Sequence, residues 1–140
     1  MAIIAPVFLL ILLALAEFSL MFFATLTMQY AVRQGARYAV TGQSDRDPNA
    51  AGQQRYAAVI QSMRDNSLGM YERLAPVISV NGTSYSSTSY SNGMFGTPGS
   101  IVVLRLDCDW TVTTPLLSSF FSNGKYHFVV AATMRNEYFP

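Results

Sequence analysis

The sequence predicts an α+β fold in which one long apolar N-terminal helix joins a small head, built from a second helix and an antiparallel β-sheet. Three observations predict it. Residues 1–32 carry a single charged residue, Glu17. Apolar residues then recur at helical spacing from Tyr56 to Met63, and residues 101–113 alternate between apolar and polar. We therefore expect an apolar helix in residues 1–40 and a globular head in residues 41–140.

The N-terminal segment has the length and composition of a membrane-crossing helix. At ~1.5 Å per residue, residues 2–28 span roughly 40 Å, more than the ~30 Å hydrocarbon core of a bilayer. Pro6 lies near the predicted start, where its missing N–H costs little. We expect the helix to continue as a stem through Arg33 and Arg37 and to end at residues 41–43, with Gly42 as a left-handed cap. A cleaved secretory signal is disfavoured, because no Lys or Arg precedes Arg33. A simple membrane anchor is the alternative.

The first part of the head combines a helix, a short strand and a loop. Asp47 followed by Pro48 is typical of a helix start, which predicts a helix from there to about Arg64. Residues 75–80 predict a short strand. Residues 81–100, within a charge-free stretch rich in Ser, Tyr and Gly, predict either a long exposed loop or a weak hairpin that turns at residues 81–82.

The second part of the head carries the clearest strand pattern. Within residues 101–113 one face of the predicted strand is apolar, and its members are Val102, Leu104, Leu106, Cys108, Trp110 and Val112. Residues 115–121 form an apolar link, and residues 126–134 predict a second strand. The two strands most simply pair antiparallel, with the helices covering their apolar side.

No catalytic, cofactor-binding or metal-binding motif stands out. The net charge is +1, which gives no electrostatic case for nucleic acid. Cys108 is the only cysteine, and its place in the apolar column predicts a buried thiol. His127 is expected to be a cross-strand surface residue. Asp107 and Asp109 share a strand face, and a solvated face is favoured over a cation site. We therefore expect neither an enzyme nor a cofactor.

Glu17 is the one residue of the apolar helix that needs an explanation. An ionised carboxylate near a bilayer centre costs on the order of 2.5–3.5 kcal/mol, and such residues usually face a partner. Helices bundled outside the membrane would offer polar neighbours from other subunits. A neutralised glutamate in a lone anchor is the alternative.

Several motifs together resemble the TadE-like minor pilins of the tight-adherence (type IVc) pilus system. The family has a proline, about ten apolar residues and then Glu-Phe, which Pro6, Glu17 and Phe18 match in spacing. Residues 31–37 resemble the family's stem. Residues 109–110 and 114–117 also fit, and the closing run Arg135, Asn136, Glu137 is similar to the family's C-terminal motif, with Tyr138 in place of its usual proline.

Two features depart from the family pattern. Pilin-like precursors are cut after a glycine and keep a glutamate at the fifth mature position, which by the spacing to Pro6 would fall just before Met1. Either the sequence starts downstream of the processing site or this member is processed differently. Relatives also often carry a cysteine pair, whereas this chain has one cysteine.

The resemblance implies a pilin-like structural subunit of a Tad-type pilus or pseudopilus, with a role in surface adhesion or pilus assembly. It would start in the inner membrane, meet the assembly machinery, and polymerise with other pilin subunits through its N-terminal helix. Glu17 would then pair across subunits and set axial register, and the residues expected to pack between subunits are Pro6, Glu17, Phe18, Arg33 and Arg37. A monomeric bitopic accessory protein of a secretion complex and a virion membrane-associated structural protein are the alternatives.

Aromatic side chains in or beside the charge-free loop suggest a contact surface. They are Tyr71, Tyr85, Tyr90 and Phe95. Aromatic, hydroxyl-rich loops suit adhesion or packing contacts, and a merely flexible exposed loop is the alternative.

Overall fold

One long helix lies along a four-stranded antiparallel sheet in the computed structural model, which describes residues 1–139. The α+β fold predicted from the sequence is therefore confirmed. The helices are α1 (Ile4–Val40), α2 (Arg55–Asp65), α3 (Met70–Leu74) and α4 (Pro115–Ser118). The strands are β1 (Val77–Val80), β2 (Thr83–Tyr85), β3 (Ile101–Thr111) and β4 (Lys125–Arg135), in the spatial order β2-β1-β3-β4. Two short 3-10 turns cover Asn92–Phe95 and Ser122–Gly124.

The helix α1 consists of an uncovered first part and a second part that packs on the head. Up to Ala16 its side chains are exposed, apart from half-buried Ala14. From Glu17 onward one face is buried, and its members recur every three or four residues: Glu17, Met21, Ala24, Thr27, Met28, Ala31, Val32, Gly35, Ala36 and Ala39. Many of these residues are small, so other elements approach closely. A Cβ at Gly35 would lie 2.3 Å from Cγ of Met63 in α2.

The two long strands β3 and β4 form the longest pair of the sheet. Their antiparallel register runs from Ile101 opposite Arg135 to Thr111 opposite Lys125. The alternation predicted for residues 101–113 is confirmed, because all six members of the apolar column are buried. This apolar face packs against α1 and α3, and α2 joins the same core by packing against α1 and α3. Gln29 of α1 also donates a hydrogen bond to the Ala131 carbonyl of the edge strand β4, at 3.0 Å.

The predicted start of the second helix is wrong. Residues 48–54 form turns, and α2 begins only at Arg55. Asp47 does cap backbone, but its carboxylate accepts from Asn49 N at 2.9 Å and from Gln54 N at 2.5 Å, which closes a loop rather than starting a helix. Gly52, which favours turns over helix, lies inside this segment.

The charge-free stretch contains more structure than a free loop. Asn81 and Gly82 make a two-residue turn with positive φ angles of 50° and 84°, and this turn joins β1 to β2, as the hairpin alternative predicts. The predicted aromatic contact surface is wrong for two of its members, because Tyr71 is 5% and Phe95 0% exposed. Both belong to the core, while Tyr85 and Tyr90 are half-buried.

At its C-terminal end α1 is tied to the head by a buried arginine and by the end of the chain. Arg55 donates from Nη2 to the Ala39 carbonyl at 2.7 Å and from Nη1 to the Gly96 carbonyl at 2.7 Å. Its guanidinium also lies 4.7 Å from the ring centroid of Phe139. Glu137 N donates to the Val40 carbonyl at 3.0 Å, so residues after β4 close over the end of α1.

Gly42 should be less replaceable than Gly82, because two constraints meet there. Both have positive φ, 68° and 84°, but only at Gly42 would a Cβ collide with a ring, 2.4 Å from Phe139 Cγ. We expect Gly82→Ala to lower the free energy of unfolding by about 1 kcal/mol through backbone strain alone. Gly42→Ala should cost about 1–3 kcal/mol more, from overpacking. Thermal or denaturant unfolding in detergent measures the difference, and equal losses would contradict the close packing of Phe139.

The Cys108 thiol should be unreactive in the folded protein. It is fully buried in β3, and burial, with Asp107 and Asp109 on either side, raises its pKa to about 12. Since the thiolate is the reactive form, an aromatic disulfide reagent at pH near 8 should modify the native protein very slowly and the unfolded protein at once. Tyr138→Cys, which adds an exposed thiol, is the control and should react rapidly without denaturant. Rapid labelling of Cys108 in the native chain would contradict the core position.

Candidate functional site at the helix–head junction

The Glu17 carboxylate is the centre of the junction between α1 and the head. The residue is only 5% exposed. Its Oε1 accepts from Thr113 N at 2.8 Å and from Trp110 Nε1 at 3.3 Å. Its Oε2 accepts from Thr114 N at 2.8 Å and from the Thr114 hydroxyl. The Thr113 hydroxyl lies 3.3 Å from Oε1 and 3.2 Å from Oε2.

The elements of the head explain why these donors converge. Trp110 stands in the buried column near the end of β3, so its indole points toward α1. Thr113 and Thr114 follow in the turn before α4, and Pro115 starts that short helix. Their two consecutive backbone N–H groups therefore both point at the carboxylate, an arrangement known to bind anions. Arg73 covers the Trp110 ring from 4.6 Å.

Hydrogen bonds alone compensate for the burial of this carboxylate. Burying a charged group costs a great deal of free energy unless it is fully hydrogen-bonded. All four ion pairs among residues 1–139 lie elsewhere, so no basic side chain pairs with Glu17 in the described chain. Five uncharged donors bind the carboxylate instead, and all of them belong to the same chain. A neighbouring subunit is therefore not needed to satisfy Glu17, and its role in axial register stays a prediction.

The other residues expected to pack between subunits do not gather around Glu17. Pro6, Phe18, Arg33 and Arg37 are all exposed. Pro6 lies in the first turn of α1, where its missing N–H is tolerated. Phe18 contributes to a groove of about 390 Å³ between α1 and the head. These four residues are accessible to other molecules, and their packing between subunits stays a prediction.

The C-terminal motif lies at the opposite end of the head. Asn136 is 3% exposed and donates from Nδ2 to the Phe95 carbonyl at 2.8 Å and the Thr97 carbonyl at 3.0 Å. Glu137 contributes its backbone N–H to Val40, and the Arg135 side chain is exposed. The motif thus holds the loop before β3 and the end of α1 together.

The polar side chains on the outer face of the sheet pair with one another. Asp107 Oδ1 lies 2.8 Å from Arg105 Nη2, and Asp109 Oδ1 lies 2.7 Å from His127 Nδ1. His127 is directly opposite Asp109 in the register, as predicted for a cross-strand surface residue. Within residues 1–139, no group of three or more His, Cys, Asp or Glu residues is arranged to hold a metal ion.

The sequence alone did not identify the residues that donate hydrogen bonds to Glu17. The alternation places Trp110 in the apolar column and Thr113 on the opposite face of the strand, and it relates neither residue to Glu17. The buried Arg55 was not singled out either. One signal existed: two threonines and a proline directly after a strand make a turn rich in hydrogen-bond donors and free of charge. What the sequence lacks is any indication that this turn faces residue 17.

The surface of α1 away from the head is apolar. Ile4–Val40 is the one described helix with the length and composition to cross a membrane, with a mean hydropathy of 2.5 in its most apolar window. Its exposed side chains include Phe18, Leu20, Phe22, Phe23, Leu26 and Tyr30, so the apolar surface extends past Glu17 along those parts of the helix surface that the head leaves uncovered.

Comparison with protein families finds a match over this helix. The model of the family described as TadE-like protein matches residues 1–37, almost all of α1. The N-terminal helix is similar to that of TadE-like proteins. The resemblance drawn from the sequence is thus confirmed for this helix, while residues 109–117 and the C-terminal motif lie outside the match; the match suggests a protein associated with the Tad pilus system. Comparisons with curated proteins and with solved structures give no match.

This match and the apolar helix α1 suggest membrane association. The TadE-like family is structural rather than enzymatic, and its place in a pilus system implies association with other pilus components. The matched segment includes Glu17 but none of its five donors, which all lie beyond residue 37.

Replacing Glu17 should loosen the head from the helix. In Glu17→Gln the amide NH₂ replaces one acceptor oxygen and faces an N–H, so we expect a loss of about 1–3 kcal/mol in the free energy of unfolding. Trp110 is the only tryptophan, so its fluorescence should shift to the red as its N–H loses the carboxylate. Unfolding curves and emission spectra in detergent micelles measure both effects.

Ser19→Ala provides the matched control for this experiment. Ser19 is exposed on the same helix and bonds only to the Leu15 carbonyl of its own turn, at 2.9 Å. It should leave both stability and emission almost unchanged. An unshifted spectrum and unchanged stability in Glu17→Gln would show that the head docks without this carboxylate.

Proposed function

We propose that this chain is a pilin-like structural subunit of a Tad-type pilus or pseudopilus, which polymerises through α1 and acts in surface adhesion or pilus assembly without catalysing a reaction. The observation that carries the proposal is the coincidence of the family match with a helix whose outer surface is apolar and uncovered. Such a surface suits lipid before assembly and other apolar helices afterwards. The chain would start in the inner membrane and end in a filament at the cell surface or in a periplasmic pseudopilus.

The exposed face of α1 supports this passage from lipid to protein. Because lipid tails and apolar side chains are similar solvents, helix association in this setting depends on packing rather than on the hydrophobic effect. Phe22 and Leu26 lie one turn apart, 67% and 55% exposed, and offer a surface for such packing. The opposite face of this part of α1 is covered by the head.

The two ties between α1 and the head support a transfer of force. Hydrogen bonds of Glu17 and Arg55 hold the helix at the two ends of its contact with the head. A helix drawn out of the membrane would therefore carry the head with it as one body. This is what incorporation by the assembly machinery requires of a subunit.

The head would then supply contacts outside the filament. Residues 86–91 are exposed except for Tyr90 and are dominated by hydroxyl side chains. Several of these bond to one another, as Ser86 N does to Ser89 Oγ at 2.8 Å. This ordered, uncharged loop is the proposed contact surface for adhesion or for a neighbouring subunit.

Removing an aromatic ring from the outer face of α1 should reduce incorporation into filaments. We expect Phe22→Ala to lower the sheared, sedimentable fraction of the chain about tenfold, equal to ~1.4 kcal/mol of lost packing. Immunoblots of sheared and membrane fractions measure it. Tyr138→Ala is the matched control, because Tyr138 is also an exposed aromatic residue, 84%, but lies at the far end of the head. It should assemble normally.

The same fractionation distinguishes the alternatives. Equal losses in both variants would contradict assembly through the helix. If the unaltered chain is never sedimentable and is extracted as a small detergent-soluble species, the monomeric accessory protein is the correct function. Glu17→Gln adds a third arm: normal filament levels in that variant would rule out a register role for Glu17.

A further inference from the structure

A small apolar lobe, residues 115–121, projects from the head beside Glu17. Leu117 is 7% exposed and anchors the lobe in the core. Phe121 packs edge-on against Tyr126 with ring centroids 5.9 Å apart. The other two large side chains face outward: Leu116 is 44% and Phe120 77% exposed. Leu116 in α4 and Phe120 in the turn that follows it therefore give this anchored lobe an exposed apolar surface.

The lobe stands at the end of the head from which the uncovered part of α1 leaves. The residues directly before it, Thr113 and Thr114, bind the Glu17 carboxylate, so the lobe lies at the level of Glu17 along the helix axis. At the other end of the head, Glu137 N bonds to the Val40 carbonyl. Between those two levels α1 rises by roughly 35 Å. The part of α1 that extends beyond the head therefore begins at the level of the lobe.

The distribution of charge along the sequence around the lobe favours contact with a lipid surface. No residue from Trp110 to Gly124 is charged. The next residue, Lys125, is exposed and is the only lysine in the chain. A charge-free apolar lobe followed by one flexible cation has the pattern of a segment that enters the bilayer boundary, with the ammonium group at the lipid phosphates.

We propose that the lobe 115–121 inserts into the surface of the membrane from which α1 emerges, with Leu116 and Phe120 among the upper acyl chains and Lys125 at the anionic headgroups. The lobe then acts with α1 as a second point of contact. Because Glu17 fixes the lobe to the helix, the pair sets how deep the helix sits and how the head is oriented on the bilayer. The proposal concerns the chain in the membrane before assembly and does not rest on polymerisation.

Spin labels on the full chain in vesicles test the insertion. Ser119→Cys places a label between Leu116 and Phe120 without removing either, and Thr97→Cys places one near the opposite end of the head; both positions are exposed. Labelling under native conditions spares buried Cys108. The vesicles contain phosphatidylethanolamine and phosphatidylglycerol at a low protein-to-lipid ratio. Collision rates with oxygen, which concentrates in lipid, and with a neutral nickel chelate, which stays in water, are read by power saturation.

The expected result is a difference between the two positions. The label at residue 119 should collide with the nickel chelate several-fold less often, and with oxygen more often, than the label at residue 97. Adding Leu116→Ser and Phe120→Ser should raise nickel access at residue 119 toward that at residue 97. Because both replaced side chains are exposed, the head should keep its fold, which the Trp110 spectrum checks.

Two results would overturn the proposal. Equal nickel access at residues 119 and 97 would place the lobe in water. Low access to both reagents at residue 119, with spin–spin broadening at full labelling, would show that a second copy covers the lobe. Neither result depends on filament formation, so a failure here is distinguishable from a failure of the proposed function.

Discussion

The carboxylate of Glu17 lies where an apolar helix meets a turn of the head, and the arrangement of the whole chain depends on how it is satisfied. Five donors from Trp110, Thr113 and Thr114 surround it, and two of them are consecutive backbone N–H groups. None of these donors is charged, so the interaction needs no second buried ion. The cost of burial is offset by hydrogen bonds that only this docking of head on helix can provide. Glu17 thus acts as a specific attachment point in a helix that otherwise lacks one.

A second attachment holds α1 to the head at the C-terminal end of the helix. Arg55 and the segment after β4 hold the C-terminal end of α1, while Glu17 holds the helix near the start of its contact with the head. Strand β4, with 11 residues, rises about 36 Å, close to the rise of α1 between Glu17 and Val40. Helix and strand are therefore matched in length and tied at both ends, so the head cannot slide along the helix without breaking buried polar contacts.

The parts of this structure that the sequence predicted are those with a local period. Alternation identified β3 and its buried column from Val102 to Val112, and the apolar run identified α1 and its end near Gly42. The start of α2 was misplaced because Asp47 and Pro48 suit a turn as well as a helix, and the choice depends on where residues 49–54 lead. The donors for Glu17 are separated from it by 93 to 97 residues along the chain. Nothing periodic links residues so distant, so only the packing of β3 on α1 brings them together.

Three further polar side chains of α1 also find hydrogen-bond acceptors within the chain. Ser19 and Thr25 each donate to a carbonyl one turn earlier, and Gln29 donates to Ala131 of β4. With Glu17 turned into the head, these side-chain donors are used within the chain. An apolar environment makes unsatisfied polar groups costly, and lipid and packed helices are equally poor partners for them. Under the proposed assembly these three side chains would keep their hydrogen bonds when α1 passes from lipid to neighbouring helices, and the shape of the surface that carries Phe22 and Leu26 would decide which neighbours fit.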